Sequence, residues 1–234
     1  MFIENLRMKL GLNDEYDIQC GYEAGCLGYS LYNQLTAAGV KCVILAPTTM
    51  LTPQGVRIKT DMRDAYMIAQ CLSYGGYHAV YIPTEADDSG KEYLRMRNDH
   101  KLALKKIKQQ INAFCIRHGF CYDGTKWTLA HLNWLKKLEI TNELYRETLD
   151  EYMASYEEQE AKIERYDKRI EEIAEQTKYY DKVKKLKCFL GIKTHTALSL
   201  IVENGDFERF AKGNQYASYL GLAPGENSSS DSIH

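Results

Sequence analysis

The sequence lacks several features that would point to particular classes of protein. Its formal net charge is only −2 over 234 residues, so any nucleic-acid binding must come from local basic patches. None of its seven cysteines forms a CxxC pair, which is typical of reduced cytosolic thiols. No apolar run approaches the roughly 20 residues of a membrane span, and the N-terminus has no signal-peptide core. We therefore expect a cytoplasmic protein with no membrane partner.

The first ninety residues alternate between strand and helix patterns. Residues 16–22 alternate as a strand does, and a helical pattern then runs to about Ala38. Lys41–Ala46 is a compact apolar run, which is typical of a buried parallel strand in a βαβ unit. A helix that begins near Asp61 and a short strand at Ala79–Pro83 follow it. The first part of the chain is therefore predicted to be α/β, in a chain long enough for one large domain or two small ones.

Three carboxylates are candidates for a metal site. Asp61 and Asp64 stand at i and i+3 of the predicted helix and so share one face. Glu23 follows the first strand, and ligands of open α/β sheets gather at the carboxyl ends of strands. Oxygen ligands of this kind suit Mg²⁺ or Mn²⁺. The alternatives are that Asp61 caps the helix, that Asp64 is a first-turn charge favoured by the helix dipole, and that Glu23 is a solvated turn residue.

From about residue 87 the composition indicates long helices. Leu94–His118 and Trp127–Leu138 have apolar residues at helical spacing, and Thr141–Thr177 has a seven-residue apolar repeat. The rows of this repeat are Leu149, Tyr156, Ile163 and Ile170, and Tyr152, Tyr166 and Ile173, with Gln159 interrupting the second. Such a seam predicts a coiled coil, either with an antiparallel helix of the same chain or with another subunit. Pairing with another subunit through this seam would give a homo-oligomer, which we expect.

A basic segment and a turn follow the long helices. The lysines are Lys178, Lys182, Lys184, Lys185 and Lys187, with Asp181 as the one acid among them. The segment continues through Gly191 into a second apolar helix, with His195 interpreted as a turn residue. Two helices joined by a tight turn form a helix–hairpin–helix, which presents backbone N–H groups to a phosphate. A plain packing corner is the alternative.

Five short segments occur in order along nearly the whole chain. They are Tyr22-Glu23-Ala24-Gly25, Lys59-Thr60-Asp61-Met62-Arg63-Asp64-Ala65, Leu190-Gly191-Ile192 with Thr196-Ala197, Glu203–Phe210 and Tyr219–Pro224. Each segment is weak alone, but the ordered set resembles the DEDD-type transposases of the insertion-sequence 110 family. Members of that family resemble RuvC-like enzymes, which have the RNase H fold, in their first half. The resemblance implies a partial RuvC-like domain at 1–90, a helical coiled-coil region at 91–180 and a truncated C-terminal transposase domain at 181–234.

The resemblance also implies roles for particular residues. Glu23, Asp61 and Asp64 match the second, third and fourth acids of the family, whereas the first has no counterpart because only 22 residues precede Glu23. Ser229 matches the family's serine nucleophile best and Ser228 second, although Ser230 stands where glycine is expected. The basic residues expected to bind nucleic acid are Lys59, Arg63, Lys184, Lys185, Lys187 and Lys193. The family's closing basic block and helix are absent, so we expect a fragment with impaired or no recombination.

By resemblance, the intact enzyme would cut and exchange DNA strands at its element's ends and at a target. Metal-bound acids and the serine would carry the chemistry, guided by a structured RNA from the element, in the nucleoid of a bacterial or archaeal cell. Two alternatives stay open. The first is a RuvC-like, magnesium-dependent nuclease that hydrolyses DNA without a serine. The second is a truncated remnant without catalysis that binds nucleic acid.

Overall fold

The chain forms two compact units, Met1–Ile82 and Pro83–His234, and each is described by itself. The computed structural model describes residues 2–11, 17–50 and 60–222, together with the backbone of 228–229 and 232–233. The division into domains at 1–90, 91–180 and 181–234 stays a prediction. Within the described residues, no helix is both long and apolar enough to cross a membrane.

The first unit is a small α/β arrangement. Its elements are α1 (Phe2–Leu10), β1 (Gln19–Glu23), α2 (Ser30–Ala37), β2 (Lys41–Leu45) and α3 (Asp61–Tyr74). β1 and β2 are parallel, with Gln19 opposite Lys41 and Glu23 opposite Leu45. Leu45 is fully buried, as expected for an apolar run in a parallel strand covered by helices. The predicted parallel βαβ unit is therefore confirmed, whereas the RuvC-like detail of the fold stays a prediction.

The strand predicted at Ala79–Pro83 is wrong as a full strand. Ala79 forms an isolated antiparallel bridge with Leu45, and the Val80 N–H donates to the Ile44 carbonyl over 2.8 Å. The next helix begins directly after Thr84, which leaves little chain for a longer strand.

Helix α3 packs closely on β1 because Gly21 has no side chain. A methyl group on Gly21 would lie 2.9 Å from Leu45 Cδ1 and 3.0 Å from Leu72 Cδ1. The contact buries Cys71, and Met67 and Ile68 pack beside it. The helix ends at Gly75, whose φ of 67° lies in the left-handed region that glycine adopts without strain.

The second unit is helical and is built on two long antiparallel helices. Its helices are α4 (Glu85–Arg117), α5 (Leu129–Lys136), α6 (Glu143–Ala174), α7 (Thr177–Leu186), α8 (Thr194–Asn204) and α9 (Gly213–Tyr219). Two short strands, β3 (Ser228–Ser229) and β4 (Ser232–Ile233), pair antiparallel beyond them. The direction of α4 and α6 follows from their contacts: Arg97 pairs with Asp167 near one end, and Phe114 meets Tyr145 near the other.

The apolar seam of α6 is buried within the chain. Leu149, Tyr156 and Ile163 pack with Leu104 and Ile111 of α4. The predicted pairing with an antiparallel helix is therefore confirmed. The predicted homo-oligomer through the same seam is not supported, because residues buried against α4 leave no exposed seam for a second subunit.

One end of the α4–α6 pair carries α7 and α8. Ile170 of α6 and Leu94 of α4 form a single core with Val183 of α7 and Leu198 of α8. Burial of several complete aliphatic side chains in this core, at about 1.5–3 kcal/mol each, fixes α7 and α8 on the end of the long helices. This core positions the connection between α7 and α8.

Candidate functional site

The candidate acids of the first unit lie on β1 and at the start of α3. Glu23 is the last residue of β1 and is half-buried, Asp64 is also half-buried, and Asp61 is exposed. The cap of α3 is Thr60, whose Oγ1 accepts from the Arg63 N–H over 3.4 Å. The alternative that Asp61 caps this helix is therefore wrong. Asp61 and Asp64 both lie in the first turn, where the helix dipole favours negative charge.

Both aspartates face the side of α3 that packs on the sheet. At 100° per residue, Asp61 falls within about 20° of Ile68 and Leu72, and Asp64 within about 20° of Cys71. Cys71 is only 2% exposed, and Leu72 lies against Gly21 of β1. The two carboxylates thus extend the packing face of α3 toward its N-terminus.

The donor atoms suit a hard divalent cation, but the arrangement of the described residues does not complete a site. Carboxylate oxygens are the ligands that Mg²⁺ prefers. Nowhere in the described ranges do three or more His, Cys, Asp or Glu side chains form a group that could hold a metal. Glu23, Asp61 and Asp64 therefore do not form a group of three ligands in this structure.

Two predicted sites fall wholly or partly outside the described residues. Lys59 lies outside them. Ser229, the predicted nucleophile, and Ser228 form strand β3, but their side chains are not described. Their roles stay predictions.

The connection between α7 and α8 is a short, hydrogen-bonded turn. The Ile192 N–H donates to the Phe189 carbonyl over 3.2 Å, which closes a turn around Leu190 and Gly191. Gly191 has a φ of 86°, the region that the third residue of a type II turn requires. No side chain caps the first turn of α8 at its N-cap residue, Lys193. The N–H groups of the first turn of α8 therefore have no partner in the side chain of its N-cap residue.

The lysines around this connection differ in their availability. Lys184, Lys185, Lys187 and Lys193 are exposed, and no acid occurs between Lys182 and Val202. Lys178 is engaged instead: its Nζ lies 2.8 Å from Asp87 Oδ1 and 2.7 Å from Thr84 Oγ1. Four exposed lysines thus surround one end of the second unit, and Asp181, on the same helix as Lys184 and Lys185, is the one acid of their segment.

His195 was predicted as a turn residue, and this is wrong. It is the second residue of α8, and its Nε2 is buried without a hydrogen-bond partner among the described residues. Burial and the nearby Arg97 guanidinium lower the pKa of His195 below its ordinary value. The imidazole is therefore neutral at physiological pH and adds no positive charge to the lysines.

The sequence-based interpretation missed the apolar tip of this connection. Phe189 and Leu190 are 64% and 105% exposed, respectively, although both are strongly hydrophobic. The signal available in the sequence was an apolar pair directly between Lys187 and Gly191, where a turn would expose it.

Comparisons with known proteins show which sequences this chain is similar to. Residues 183–234, which include the end of α7, the connection and α8, match the family model described as "Transposase IS116/IS110/IS902 family". The chain is 36% identical over 216 residues to a transposase for insertion sequence element IS1533 from Leptospira borgpetersenii. It is 31% identical over 211 residues to a putative transposase, y4qE, from Sinorhizobium fredii.

The chain is therefore similar to proteins described as transposases over nearly its whole length. The match to the IS116/IS110/IS902 family model covers residues 183–234, and the resemblance of the motifs predicted a similarity to this family. The two alignments cover 91% and 90% of this chain but 61% and 51% of the respective relatives. The chain therefore spans between half and two thirds of the length of these relatives.

Proposed function

We propose that the protein acts in DNA transposition as a transposase that binds duplex DNA through the connection between α7 and α8. The observation that carries the proposal is the set of exposed lysines around an uncapped helix start, inside the segment that matches the transposase family. DNA is a polyanion, and lysines that neutralise its phosphates release condensed counterions. Backbone N–H groups at a helix start bind phosphate oxygens in addition.

The lysines are placed to contact more than one phosphate. Lys184, Lys185 and Lys187 belong to the end of α7, and Lys193 belongs to the start of α8. The core beneath them fixes both helices, so little conformational entropy is lost by the backbone on binding. Such contacts position the protein on the duplex without reading its sequence.

The salt dependence of binding tests this proposal. Lys187→Gln should weaken binding of residues 1–234 to duplex DNA by a similar factor for every sequence. It should also make the negative slope of log K against log[salt] less steep, by about 0.9. Lys168→Gln is the matched control, because Lys168 is equally a lysine of the second unit but pairs with Glu164 on the surface of α6. An unchanged slope for Lys187→Gln and for the same change at the other three lysines would refute the proposal.

For the reaction itself, we propose metal-dependent strand cleavage and exchange with Ser229, or else Ser228, as the nucleophile. The support is the match of Glu23, Asp61, Asp64 and the serine to the family's motifs, and the shared face of the two aspartates on α3. A bound Mg²⁺ would supply Lewis-acid activation of an attacking oxygen and stabilise the leaving oxygen. Guidance by an RNA of the element is proposed on the resemblance alone.

Strand-exchange assays with single variants separate this reaction from its alternatives. Ser229→Ala should abolish a covalent protein–DNA adduct together with exchange, whereas a nuclease that uses metal and water would keep cleaving. Asp64→Asn should abolish both reactions and lower the heat of Mg²⁺ binding measured by calorimetry. A chain that binds DNA, but neither binds Mg²⁺ nor cleaves, would instead be a binding module.

A further inference from the structure

We infer that Phe189 and Leu190 form an apolar wedge that enters the minor groove of bound duplex DNA and unstacks one base step. The inference rests on the proposed DNA binding and goes beyond it, because it assigns to two uncharged residues a deformation of the DNA. The exposure of the pair is the first observation. Leu190 is 105% exposed and Phe189 is 64% exposed, so neither side chain contributes its full apolar area to the protein core.

The wedge is held in place from both sides. Leu186, before the pair, and Ile192, after it, pack against the core formed by α4, α6, α7 and α8. The hydrogen bond from the Ile192 N–H to the Phe189 carbonyl closes the turn between these two anchors. A side chain that is to separate stacked bases must be presented rigidly, because a mobile loop would yield before the bases do.

The charge around the pair selects nucleic acid as its occupant. From Lys182 to Val202 the chain has five lysines and no acid, with Asp181 directly before this stretch, so a partner that covers the apolar tip also meets positive charge on either side. Duplex DNA offers this combination: phosphates border each groove, and the apolar faces of the bases lie between them. The minor groove is about 6 Å wide, which excludes a helix but admits the tip of a tight turn.

The chemistry of such wedges is general. Apolar side chains inserted between base steps partly unstack them and bend the duplex by about 20–90° toward the major groove. The lysines supply most of the affinity, and the wedge supplies the distortion. In a strand-transfer enzyme, a bent and locally unstacked duplex exposes the backbone for cleavage.

Fluorescent duplexes test the wedge directly with residues 1–234. The probe is a mixed-sequence duplex about three helical turns long, with 2-aminopurine at several internal steps and an energy-transfer pair on its ends. At saturating protein, we expect higher 2-aminopurine fluorescence and shorter end-to-end distances than in free DNA. Phe189→Ala combined with Leu190→Ala should remove most of both changes, while Kd rises by less than about tenfold, since the phosphate contacts remain.

Three further variants complete the experiment. Leu144→Ala removes another exposed leucine, 70% exposed at the start of α6, and should leave the distortion intact. Leu190→Met keeps an apolar tip and should also distort the DNA. Lys187→Gln should weaken binding but keep the distortion at saturation.

Three results would overturn the inference while leaving the proposed function in place. The first is wild-type binding without unstacking or bending. The second is a double alanine variant that still distorts DNA as the wild type does. The third is a double alanine variant that changes the sedimentation of the free protein, which would mark the tip as a protein contact. If the wild type shows no salt-dependent binding to DNA, the proposed function is overturned together with the inference. In that case Lys187→Gln would have no effect on binding.

Discussion

The hydroxyl of Tyr179 joins α7 to the start of α4, and its removal gives a sharp prediction. Tyr179 is 2% exposed, and its hydroxyl donates to Asp87 Oδ1 over 2.9 Å. Asp87 is itself 6% exposed and also accepts from Thr84 Oγ1 over 2.7 Å and pairs with Lys178. A hydrogen bond to a charged group contributes about 1.5–3 kcal/mol. Because two donors remain for Asp87, Tyr179→Phe should cost about 1.5–2 kcal/mol of unfolding free energy, at the lower end of that range.

Urea unfolding followed by tryptophan fluorescence measures this effect. Both tryptophans, Trp127 and Trp134, lie in the second unit, so the signal reports the unit that contains Tyr179. With a slope of about 1–3 kcal/mol per molar, the midpoint should fall by about 0.5–2 M. The control is Tyr180→Phe, because Tyr180 is the neighbouring residue on α7 but is 49% exposed and should change the free energy by less than about 0.5 kcal/mol. Equal midpoints for the two variants would refute the assigned role of the buried hydrogen bond.

Three further predictions concern the second unit. Burial alone would raise the pKa of Asp87, but hydrogen bonds from Lys178, Thr84 and Tyr179 outweigh burial and lower this pKa. The stability that the ionised Asp87 contributes is therefore present above about pH 4 and is lost as the pH falls through the lower pKa of the folded state. The urea midpoint should fall in this pH range, and it should fall less in Asp87→Asn. Asp167→Asn should cost about 1.5–3 kcal/mol, because it weakens the two-bond pairing of 2.7 and 2.9 Å with the largely buried Arg97; an unchanged thermal midpoint would contradict this. Gly191→Ala should cost about 1 kcal/mol or more because φ is 86°, whereas Gly213→Ala, in open space at ordinary φ, should be close to neutral in the same melts.

The spacing of apolar residues in the sequence correctly predicted several strands and helices. Lys41–Leu45 formed a strand as its apolar run indicated, and helix α3 began at Asp61 as predicted. The seven-residue repeat correctly identified the buried face of α6. In each case the spacing of apolar residues matches the period of one element, so a short window of sequence contains the necessary information.

The apolar pattern marks α4 only from Leu94, whereas the helix begins at Glu85, because the cause of the earlier start is tertiary. The segment from Glu85 to Gly90 is acidic and contains glycine, which favours a loop. In the structure, Thr84 caps the helix, and a methyl group on Gly90 would touch Val202 of α8 at 3.4 Å. The close approach of α8 therefore explains the glycine at position 90, and the partners on α7 explain the buried Asp87. A local sequence pattern shows neither of these tertiary contacts.

The candidate sites divide in the same way. The acids were identifiable as residue types at a fixed spacing, but their mutual placement depends on how α3 lies on β1. The sequence located the basic segment, but it did not show that Lys178 is bound to Asp87 or that His195 is neutral. The predicted turn between two helices did not show that Leu190 lies at the top of the closed turn and is completely exposed.

The antiparallel pair of α4 and α6 also restricts how this protein can change in length during evolution. An insertion in one long helix alone would shift every contact beyond it, rotate the apolar face by 100° per added residue and leave one helix unmatched. Adding seven residues to each helix at the same level restores both the face and the register, and moves the two ends of the pair about 10 Å further apart. Relatives with longer or shorter middle regions should therefore differ by paired steps of seven residues, and the separation between the two ends of this unit would be set in discrete increments.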